Sequence, residues 1–389
     1  MRRKALVPRL EPFTSTIFAE MTALATRTGS VNLGQGFPDT DGPPSMLAAA
    51  RDAIANGVNQ YPPGPGRPEL RAAIAAQRTR YGTEFDPDTE VLVTVGATEA
   101  IAAAMLALVQ PGDEVVLFEP YYDSYAASVA LAGATRRVVS LVEEPGTGRF
   151  AVDLDALRAA IGEKTRLLLM NSPHNPTGTV FTRAELEGIA ALCVEHDLIA
   201  VTDEVYECLT YDGVEHIPLG TLPGMAERTV TISSAGKMFN CTGWKIGWAC
   251  GPAELVSAVR AAKQFLTFVG GAPFQPAVAH ALDTESAWVA SLRADLSAKR
   301  DRLVAGLAAA GFEVRPSTGT YFVCVDVRPL GFADGAELCW QLPERIGVAA
   351  VPVQGFTDHP QPWRHIVRFA FCKRDEVLDE AIERLHKLA

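Results

Sequence analysis

The chain has no excess of positive charge, no long apolar run and no apolar export segment near its start. Its 389 residues include 46 acidic and 35 basic side chains, which gives a formal net charge of −11. Proteins that bind nucleic acid do so with surplus lysine and arginine, so nucleic acid is excluded as the main partner. No stretch approaches about eighteen uninterrupted apolar residues, and MRRKALVPRLEP has cations without an apolar segment behind them. We therefore expect neither membrane spanning nor export.

Cysteine pairs of the kind that hold metals or form disulfides are also missing. The seven cysteines are odd in number, lie mostly within apolar runs and show no Cys-x-x-Cys spacing. This pattern is typical of reduced, buried thiols in a cytoplasmic protein, and it predicts no metal site. Cys241 stands close to Lys237 in the sequence, but no neighbouring group would ionise its thiol, so we expect no catalytic role for it.

The chain also lacks the glycine-rich fingerprints GxGxxG and GxxxxGK[ST], which argues against a nucleotide-dependent oxidoreductase. Internal repeats and low-complexity segments are absent from the sequence. With 48% hydrophobic and 21% charged residues, it is an ordinary globular chain, long enough for about two domains. From about residue 46 to residue 285, apolar β-type runs alternate with helical patterns, which predicts an α/β domain with a mostly parallel sheet.

Near the start, apolar side chains recur at helical spacing on one face. These residues are Phe18, Met21, Leu24 and Ala25. They predict a short helix after an arm that is interrupted by Pro8 and Pro12.

The stretch from Thr231 to Pro252, TISSAGKMFNCTGWKIGWACGP, presents a lysine among small and apolar residues. A lysine is usually solvated surface, but no acidic residue in this stretch could pair with Lys237. An ammonium held in apolar surroundings has a lowered pKa, and the free amine is a nucleophile that can form a Schiff base with an aldehyde. This chemistry suits pyridoxal phosphate, and Ser234 and Lys245 could supply a hydroxyl and a cation to its phosphate.

Other segments place polar groups where a strand ends. VLVTVGATEAIAAAM predicts a strand, a turn and a helix, so the backbone N–H groups of Gly96, Ala97 and Thr98 could bind an anion. Any strand-to-helix turn has this appearance, and the signal gains weight only beside Lys237. Asp203 ends the apolar run LIAVT, where a carboxylate is either exposed at the sheet edge or buried against a cation.

Two further residues have both a structural and a functional interpretation. Asn175, in NSPHNPTG, could cap a turn or donate its amide to a ligand. Arg368 lies in the apolar strand HIVRFAF, where a guanidinium is either a sheet-edge charge or a bidentate partner for a carboxylate.

Taken together, these segments resemble one family. SSAGKMFNCTGWKIGW, the Asn-Pro-x-Gly motif, the Asp203-x-x-Tyr206 pair and the Arg-Phe-x-Phe strand are similar to class I aminotransferases of fold type I, which use pyridoxal phosphate. The resemblance covers essentially the whole chain. It is closest to the branch of kynurenine, glutamine and methionine aminotransferases and actinobacterial-type N-succinyldiaminopimelate aminotransferases. Many members have arginine at position 245; a lysine there is a point charge, so we expect a less rigid grip on phosphate.

The resemblance implies a particular domain organisation. The large domain, residues 46–285, would contain a mostly parallel, mixed seven-stranded sheet flanked by helices. A small α+β domain would span residues 286–389. We expect the N-terminal arm, residues 1–45, to complete that small domain.

The resemblance also implies a role for each candidate residue. Lys237 would hold the cofactor and act as general acid and base, Asp203 would pair with the ring nitrogen, and Tyr122 would stack on the ring. The phenolate oxygen would be contacted by Asn175 and Tyr206, and the phosphate by Gly96, Ala97, Thr98, Ser234, Lys245 and a neighbouring subunit's Tyr61. The substrate would be contacted by Gly36, Asn175 and Arg368, and by Phe268 of the other subunit. These contributions across an interface imply a homodimer with shared active sites.

The implied reaction is transamination between an amino-acid donor and a 2-oxo acid. We expect N-succinyl-LL-2,6-diaminopimelate as donor and 2-oxoglutarate as acceptor, in lysine and diaminopimelate biosynthesis. The alternatives are kynurenine, glutamine or methionine transamination and β-elimination on cysteine conjugates. A transcription regulator built on this fold would need a DNA-binding domain ahead of the resemblance, and an inactive homologue would have little reason to keep all of these polar residues.

Overall fold

A computed structural model describes residues 5–388 of the chain. Within that range, thirteen α-helices and fifteen β-strands are found. The helices are α1 Ile17–Thr28, α2 Pro44–Ala55, α3 Pro68–Arg78, α4 Gly96–Leu108, α5 Asp123–Ala132, α6 Leu154–Ala160, α7 Arg183–Glu195, α8 Ala235–Met238, α9 Ala253–Lys263, α10 Phe274–Thr284, α11 Ser286–Ala309, α12 Gly335–Arg345 and α13 Asp375–Leu385. The strands are β1 Val31–Asn32, β2 Val91–Val95, β3 Glu114–Glu119, β4 Thr135–Ser140, β5 Val142–Glu143, β6 Phe150–Ala151, β7 Thr165–Asn171, β8 Ile199–Asp203, β9 Thr229–Ser234, β10 Ile246–Cys250, β11 Glu313–Val314, β12 Phe322–Asp326, β13 Val348–Ala349, β14 Val351–Pro352 and β15 Ile366–Ala370.

Seven strands form the central sheet, in the order β2-β10-β9-β8-β7-β3-β4. Neighbouring strands are parallel except at β10, which runs antiparallel to both β2 and β9. Both faces are covered: in β3, Val115 and Leu117 pack into one hydrophobic cluster, and Val116 and Phe118 pack into another. Burial on two faces explains the continuous apolar runs in the sequence. The predicted mixed, mostly parallel seven-stranded sheet is confirmed.

With β10 as the exception, the strands of this sheet point the same way, so their carboxyl ends lie along one edge. Here β7 ends at Asn171, β8 ends at Asp203 and β9 ends at Ser234. At the same edge, β2 leads directly into α4 at Gly96. Open α/β sheets bind ligands at the carboxyl ends of their strands, so this edge is where polar groups should meet.

A predicted helix near the start is confirmed as α1. Thr16 caps its first turn and Gly29 ends it with a φ of 64°. Met21 and Leu24 are buried, as their spacing indicates. Phe18 is only partly buried, because its ring packs against a hydrophobic cluster and also lines a cavity.

A second sheet is formed by the C-terminal part of the chain, in the antiparallel order β11-β12-β15-β14. The N-terminal segment joins this unit, because β1 pairs in parallel with β13. Met21, Leu24 and Leu33 belong to the same hydrophobic cluster as residues of β12, α12, β15 and α13. This packing is consistent with the expected grouping, and the boundaries 1–45, 46–285 and 286–389 stay a prediction.

The cysteines and the helices bear on two further expectations. All seven cysteines are free and buried, as the sequence predicts. Among the helices of residues 5–388, none has both the length and the apolar character needed to cross a bilayer.

A buried arginine joins the end of α3 to the segment after β8. The guanidinium of Arg78 donates to Glu207 Oε2 at 2.5 Å and to Glu204 Oε2 at 2.9 Å. All three side chains are almost completely buried, and His216 Nε2 lies 2.9 Å from the same Glu204 oxygen. Burial alone would raise the pKa of Glu204, but Arg78 and His216 outweigh it and lower that pKa to about 2.

The substitution Arg78→Met should therefore destabilise the protein strongly, because it leaves two buried carboxylates without their cation. We expect the free energy of unfolding to fall by about 3–5 kcal/mol, measured by urea titration of circular dichroism. Arg302→Met is the matched control, since Arg302 is 38% exposed and pairs with Asp375 and Asp379 at the surface. This control should change stability by about 1 kcal/mol or less. Equal losses in the two variants would contradict the assignment.

Candidate active site

A cavity of about 320 Å³ opens at the carboxyl edge of the central sheet. It is walled by ends of strands from the central sheet, by the segment around Gly36 and by β12 and β15 of the second sheet. The predicted site residues that line it are Gly36, Gly96, Ala97, Thr98, Tyr122, Asn175, Asp203, Tyr206, Ser234, Lys237, Lys245 and Arg368. Twelve residues that are scattered over the sequence are thus brought together, and their individual roles stay predictions.

Lys237 lies in the short helix α8, directly after β9. Small neighbours make this position possible: a Cβ added at Gly236 would lie 3.0 Å from the Thr242 Cα. Burial lowers the pKa of Lys237 to about 8, although Asp203 acts in the opposite direction. The amine donates a hydrogen bond to the Tyr321 hydroxyl at 2.7 Å. A neutral, nucleophilic amine is therefore accessible near neutral pH.

Asp203 is the last residue of β8 and is buried. It accepts hydrogen bonds from the Tyr125 hydroxyl at 2.6 Å and from the Val205 backbone N–H at 3.2 Å. Burial raises the pKa of Asp203 to about 6, against these hydrogen bonds and the nearby Lys237. A buried carboxylate of this kind is stabilised by a cationic N–H donor, which a protonated pyridine ring would provide.

Arg368 stands in the middle of β15 and is also buried. Its Nη1 donates to Asn175 Oδ1 at 2.9 Å, its Nη2 donates to the Gly34 carbonyl at 2.7 Å, and its plane lies 4.0 Å from the Phe322 ring centroid. Burial lowers the pKa of Arg368 to about 10, so the group remains charged at neutral pH. Within residues 5–388, its Nε atom has no hydrogen-bond partner. A buried cation with neutral oxygens as partners suits an incoming carboxylate.

Asn175 is held by a second asparagine that the sequence did not single out. The Asn175 backbone N–H donates to Asn171 Oδ1 at 2.7 Å, and Asn171 Nδ2 donates to the Asp203 carbonyl at 2.7 Å. Because Arg368 occupies Asn175 Oδ1, the amide nitrogen of Asn175 is the group left to donate to a ligand. The donor role of Asn175 stays a prediction.

An anion site is formed where β2 meets α4. Gly96 has a φ of 74°, and a Cβ there would lie 3.0 Å from Cε and 3.1 Å from Nζ of Lys245. The positive φ favours glycine here, and a side chain at this position would also crowd the lysine. The N-terminus of α4 adds its backbone N–H groups and its positive potential, so the site fits a phosphate.

Sequence reasoning missed four residues that surround the cavity or contact its charged groups. Asn171 and Tyr125 support Asp203, Tyr321 contacts Lys237, and Phe322 lies against Arg368. Asn171 could have been found, because it ends a buried strand next to β8 in the same way as Asp203. Tyr321, which precedes β12, and Phe322, its first residue, gave no local signal, because the residues that they contact are remote in sequence.

Tyr61 and Phe268 do not line the cavity of their own chain. Tyr61 is 82% exposed and Phe268 is 50% exposed, and their ring centroids lie 5.5 Å apart. An exposed aromatic pair is what a contact with a second copy requires. The predicted contribution of both residues to a neighbouring subunit stays a prediction.

Comparison with known proteins agrees with this geometry. Residues 28–385 match the family model described as aminotransferase class I and II. The chain is 64% identical to a Mycobacterium tuberculosis protein named a probable N-succinyldiaminopimelate aminotransferase, over 98% of each sequence. It is 39% identical to the methionine aminotransferase of Escherichia coli over the full length of both. A solved structure of N-succinyldiaminopimelate aminotransferase from M. tuberculosis superimposes with a TM-score of 0.97, at 64% identity, over 99% of this chain and all of that one.

Aminotransferases of this class use pyridoxal phosphate. The residues at the cavity fit this cofactor: the turn at Gly96 suits its phosphate, Asp203 suits its ring nitrogen, and the amine of Lys237 suits its aldehyde. The fold, the cavity and the sequence similarity all lead to the same conclusion, that the chain belongs to the class I and II aminotransferase family.

Proposed function

We propose that this aminotransferase transfers the amino group of N-succinyl-LL-2,6-diaminopimelate to 2-oxoglutarate, in diaminopimelate and lysine biosynthesis. The observation that carries this proposal is the 64% identity with the M. tuberculosis protein, which extends over 98% of both sequences. Identity with the methionine aminotransferase is much lower, at 39%. Methionine, glutamine and kynurenine transamination and β-elimination on cysteine conjugates are the alternatives that the experiments below separate.

The cofactor would be held by groups from several strand ends. Its phosphate would lie at Gly96, Ala97, Thr98, Ser234 and Lys245, its ring against Tyr122 and Asp203, and its phenolate oxygen at Asn175 and Tyr206. When bound, pyridoxal phosphate supplies an electron sink for the charge that is left when the substrate α-proton is removed. Asp203 supports this chemistry, since a buried carboxylate favours a protonated ring nitrogen.

Lys237 would move the proton. Its pKa of about 8 lies near the pH at which a cytoplasmic enzyme works, which is the condition for an effective general base and acid. The amine and the Asp203 carboxylate line the same cavity, so a substrate bound there would lie within reach of the amine. Arg368 would orient that substrate, because its guanidinium can form two parallel hydrogen bonds with an α-carboxylate beside Gly36.

We further propose a homodimer in the cytoplasm. The exposed pair Tyr61 and Phe268 would contact the second copy, with Tyr61 reaching its phosphate site and Phe268 its substrate. The seven free, buried thiols are consistent with a reducing compartment.

Substitution of Lys237 by alanine should abolish the reaction, because the other described amine that lines this cavity, that of Lys245, lies against the turn at Gly96. We expect the rate of the amino-donor half-reaction to fall by at least about 10⁴-fold, followed by the absorbance of the cofactor. Cys241→Ala is the control: its thiol is close in sequence, but burial raises its pKa to about 12. Full activity in the Lys237 variant would refute the proposed mechanism.

The donor preference should follow the proposed substrate. We expect kcat/KM for N-succinyl-LL-diaminopimelate to exceed the values for glutamate, methionine and kynurenine by about 100-fold, since specificity is a difference in transition-state binding. Diaminopimelate without the succinyl group is the matched comparison and should react as poorly as the other donors. A preference for methionine or kynurenine would assign the enzyme to the alternative activity.

The lowered pKa of Lys237 should be visible in how covalent binding of the cofactor depends on pH. Only the neutral amine attacks an aldehyde, so covalent capture of pyridoxal phosphate by the apoenzyme should rise with pH through about 8. An ordinary lysine would give this rise near about 10.4. The measurement is the amount of cofactor fixed by brief borohydride reduction at each pH. A midpoint above about 10 would show that the amine is not perturbed.

A further inference from the structure

A tyrosine outside the predicted site makes the closest contact with Lys237. Tyr321 is buried, and its hydroxyl accepts a hydrogen bond from the Lys237 Nζ at 2.7 Å. The same hydroxyl donates to the Gly36 carbonyl at 2.6 Å. The Lys237 Nζ also donates to that carbonyl, at 3.3 Å. Amine, hydroxyl and carbonyl therefore form a closed group of three.

The Tyr321 hydroxyl donates its proton to the Gly36 carbonyl. Burial, reinforced by Tyr206, raises the pKa of Tyr321 well above its ordinary value, so the hydroxyl keeps its proton. A neutral tyrosine has a single O–H to donate, and a carbonyl oxygen can only accept. In the structure this O–H is donated to Gly36, and the oxygen presents its lone pairs to Lys237.

The consequence concerns the lone pair of the amine. A neutral amine has two N–H groups and one lone pair. The two acceptors, the Tyr321 oxygen and the Gly36 carbonyl, take the two N–H groups. Tyr321 does not line the cavity, whereas Lys237 does, so the side of the amine away from Tyr321 faces the cavity.

We propose that Tyr321 is a positioning residue, whose hydroxyl holds the free Lys237 amine by its N–H and leaves the lone pair available for the substrate α-proton. This inference rests on the proposed role of Lys237 as the base. If the hydroxyl could rotate and donate to the amine instead, the lone pair would be blocked. The Gly36 carbonyl accepts this O–H at 2.6 Å and so competes with the amine for it, which leaves the amine lone pair free.

Other charged and titratable groups also act on the Lys237 amine. After burial, the largest influence on its pKa is Cys372, which follows β15, and then Asp203 at the end of β8; both favour the ammonium form. Arg368 in β15 and Lys245 disfavour it. All four groups remain in the variant Tyr321→Phe, so a change in that variant isolates the hydroxyl.

The test measures the pKa of Lys237 in the apoenzyme, without cofactor or turnover. Acetic anhydride acylates only the neutral amine, and mass spectrometry of the peptide that contains Lys237 gives its extent at each pH. An ammonium donates a stronger hydrogen bond than an amine does, so loss of the acceptor in Tyr321→Phe should lower this pKa by about one unit. Tyr211→Phe is the matched control: it removes another buried hydroxyl, one that donates to the Thr320 carbonyl, and should leave the Lys237 pKa unchanged.

A second readout follows the proton transfer itself. With an α-deuterated donor, Tyr321→Phe should lower kcat about 10-fold and enlarge the isotope effect, while KM changes little. Phenylalanine keeps the ring and its packing against Tyr206 and Phe322, and equal thermal melting of the two phenylalanine variants checks this. An unchanged Lys237 pKa, or an unchanged isotope effect, would overturn the inference. Activity in Lys237→Ala would instead overturn the proposed function, because the acylation measurement does not depend on turnover.

Discussion

The structure depends on keeping three charged groups away from water within one cavity. Lys237, Asp203 and Arg368 come from different secondary-structure elements, and burial shifts the pKa of each toward the neutral form. Isolated charges in such a place would be very unfavourable, so each is supported by hydrogen bonds: Tyr321 for the lysine, Tyr125 for the aspartate, and Asn175 with Gly34 for the arginine. Burial of the hydrophobic clusters on both faces of the sheet supplies the stabilising free energy that offsets the cost of burying these charges.

A second set of buried charges, formed by Arg78, Glu204 and Glu207, lies on the side of the segment after β8 that faces away from the cavity. Glu204 and Glu207 alternate with Asp203 and Tyr206 along the chain, so the segment after β8 has one side toward the cavity and another toward α3. Arg78 holds the far side through both glutamates. The strand end that carries the buried Asp203 carboxylate is thus fixed by a buried ion pair rather than by apolar packing alone. This gives a physical reason for three buried ionic side chains that the mechanism itself does not use.

Sequence reasoning found residues of the cavity where the signal is local. Asp203 ends an apolar strand and Lys237 stands among small residues, and both line the cavity. Arg368 had two interpretations from its strand alone, and burial without a carboxylate partner is what now favours ligand binding. Tyr321 and Gly36 could not have been linked from sequence, because their contact joins residues that are 285 positions apart. The same holds for the pairing of β1 with β13, which only the folded chain reveals.

That pairing of β1 with β13 has a mechanical consequence. Because Leu33 and Gly34 are hydrogen-bonded to Ala349, Ala370 and Arg368, the chain just before Gly36 is tied to the same unit as Arg368. Asp203 ends a strand of the central sheet, and Lys237 lies in α8, directly after another of its strands. A rotation of one unit against the other would therefore move Gly36 and Arg368 together. The hydrogen bond from Lys237 to Tyr321 joins the two units, so its length would report that movement.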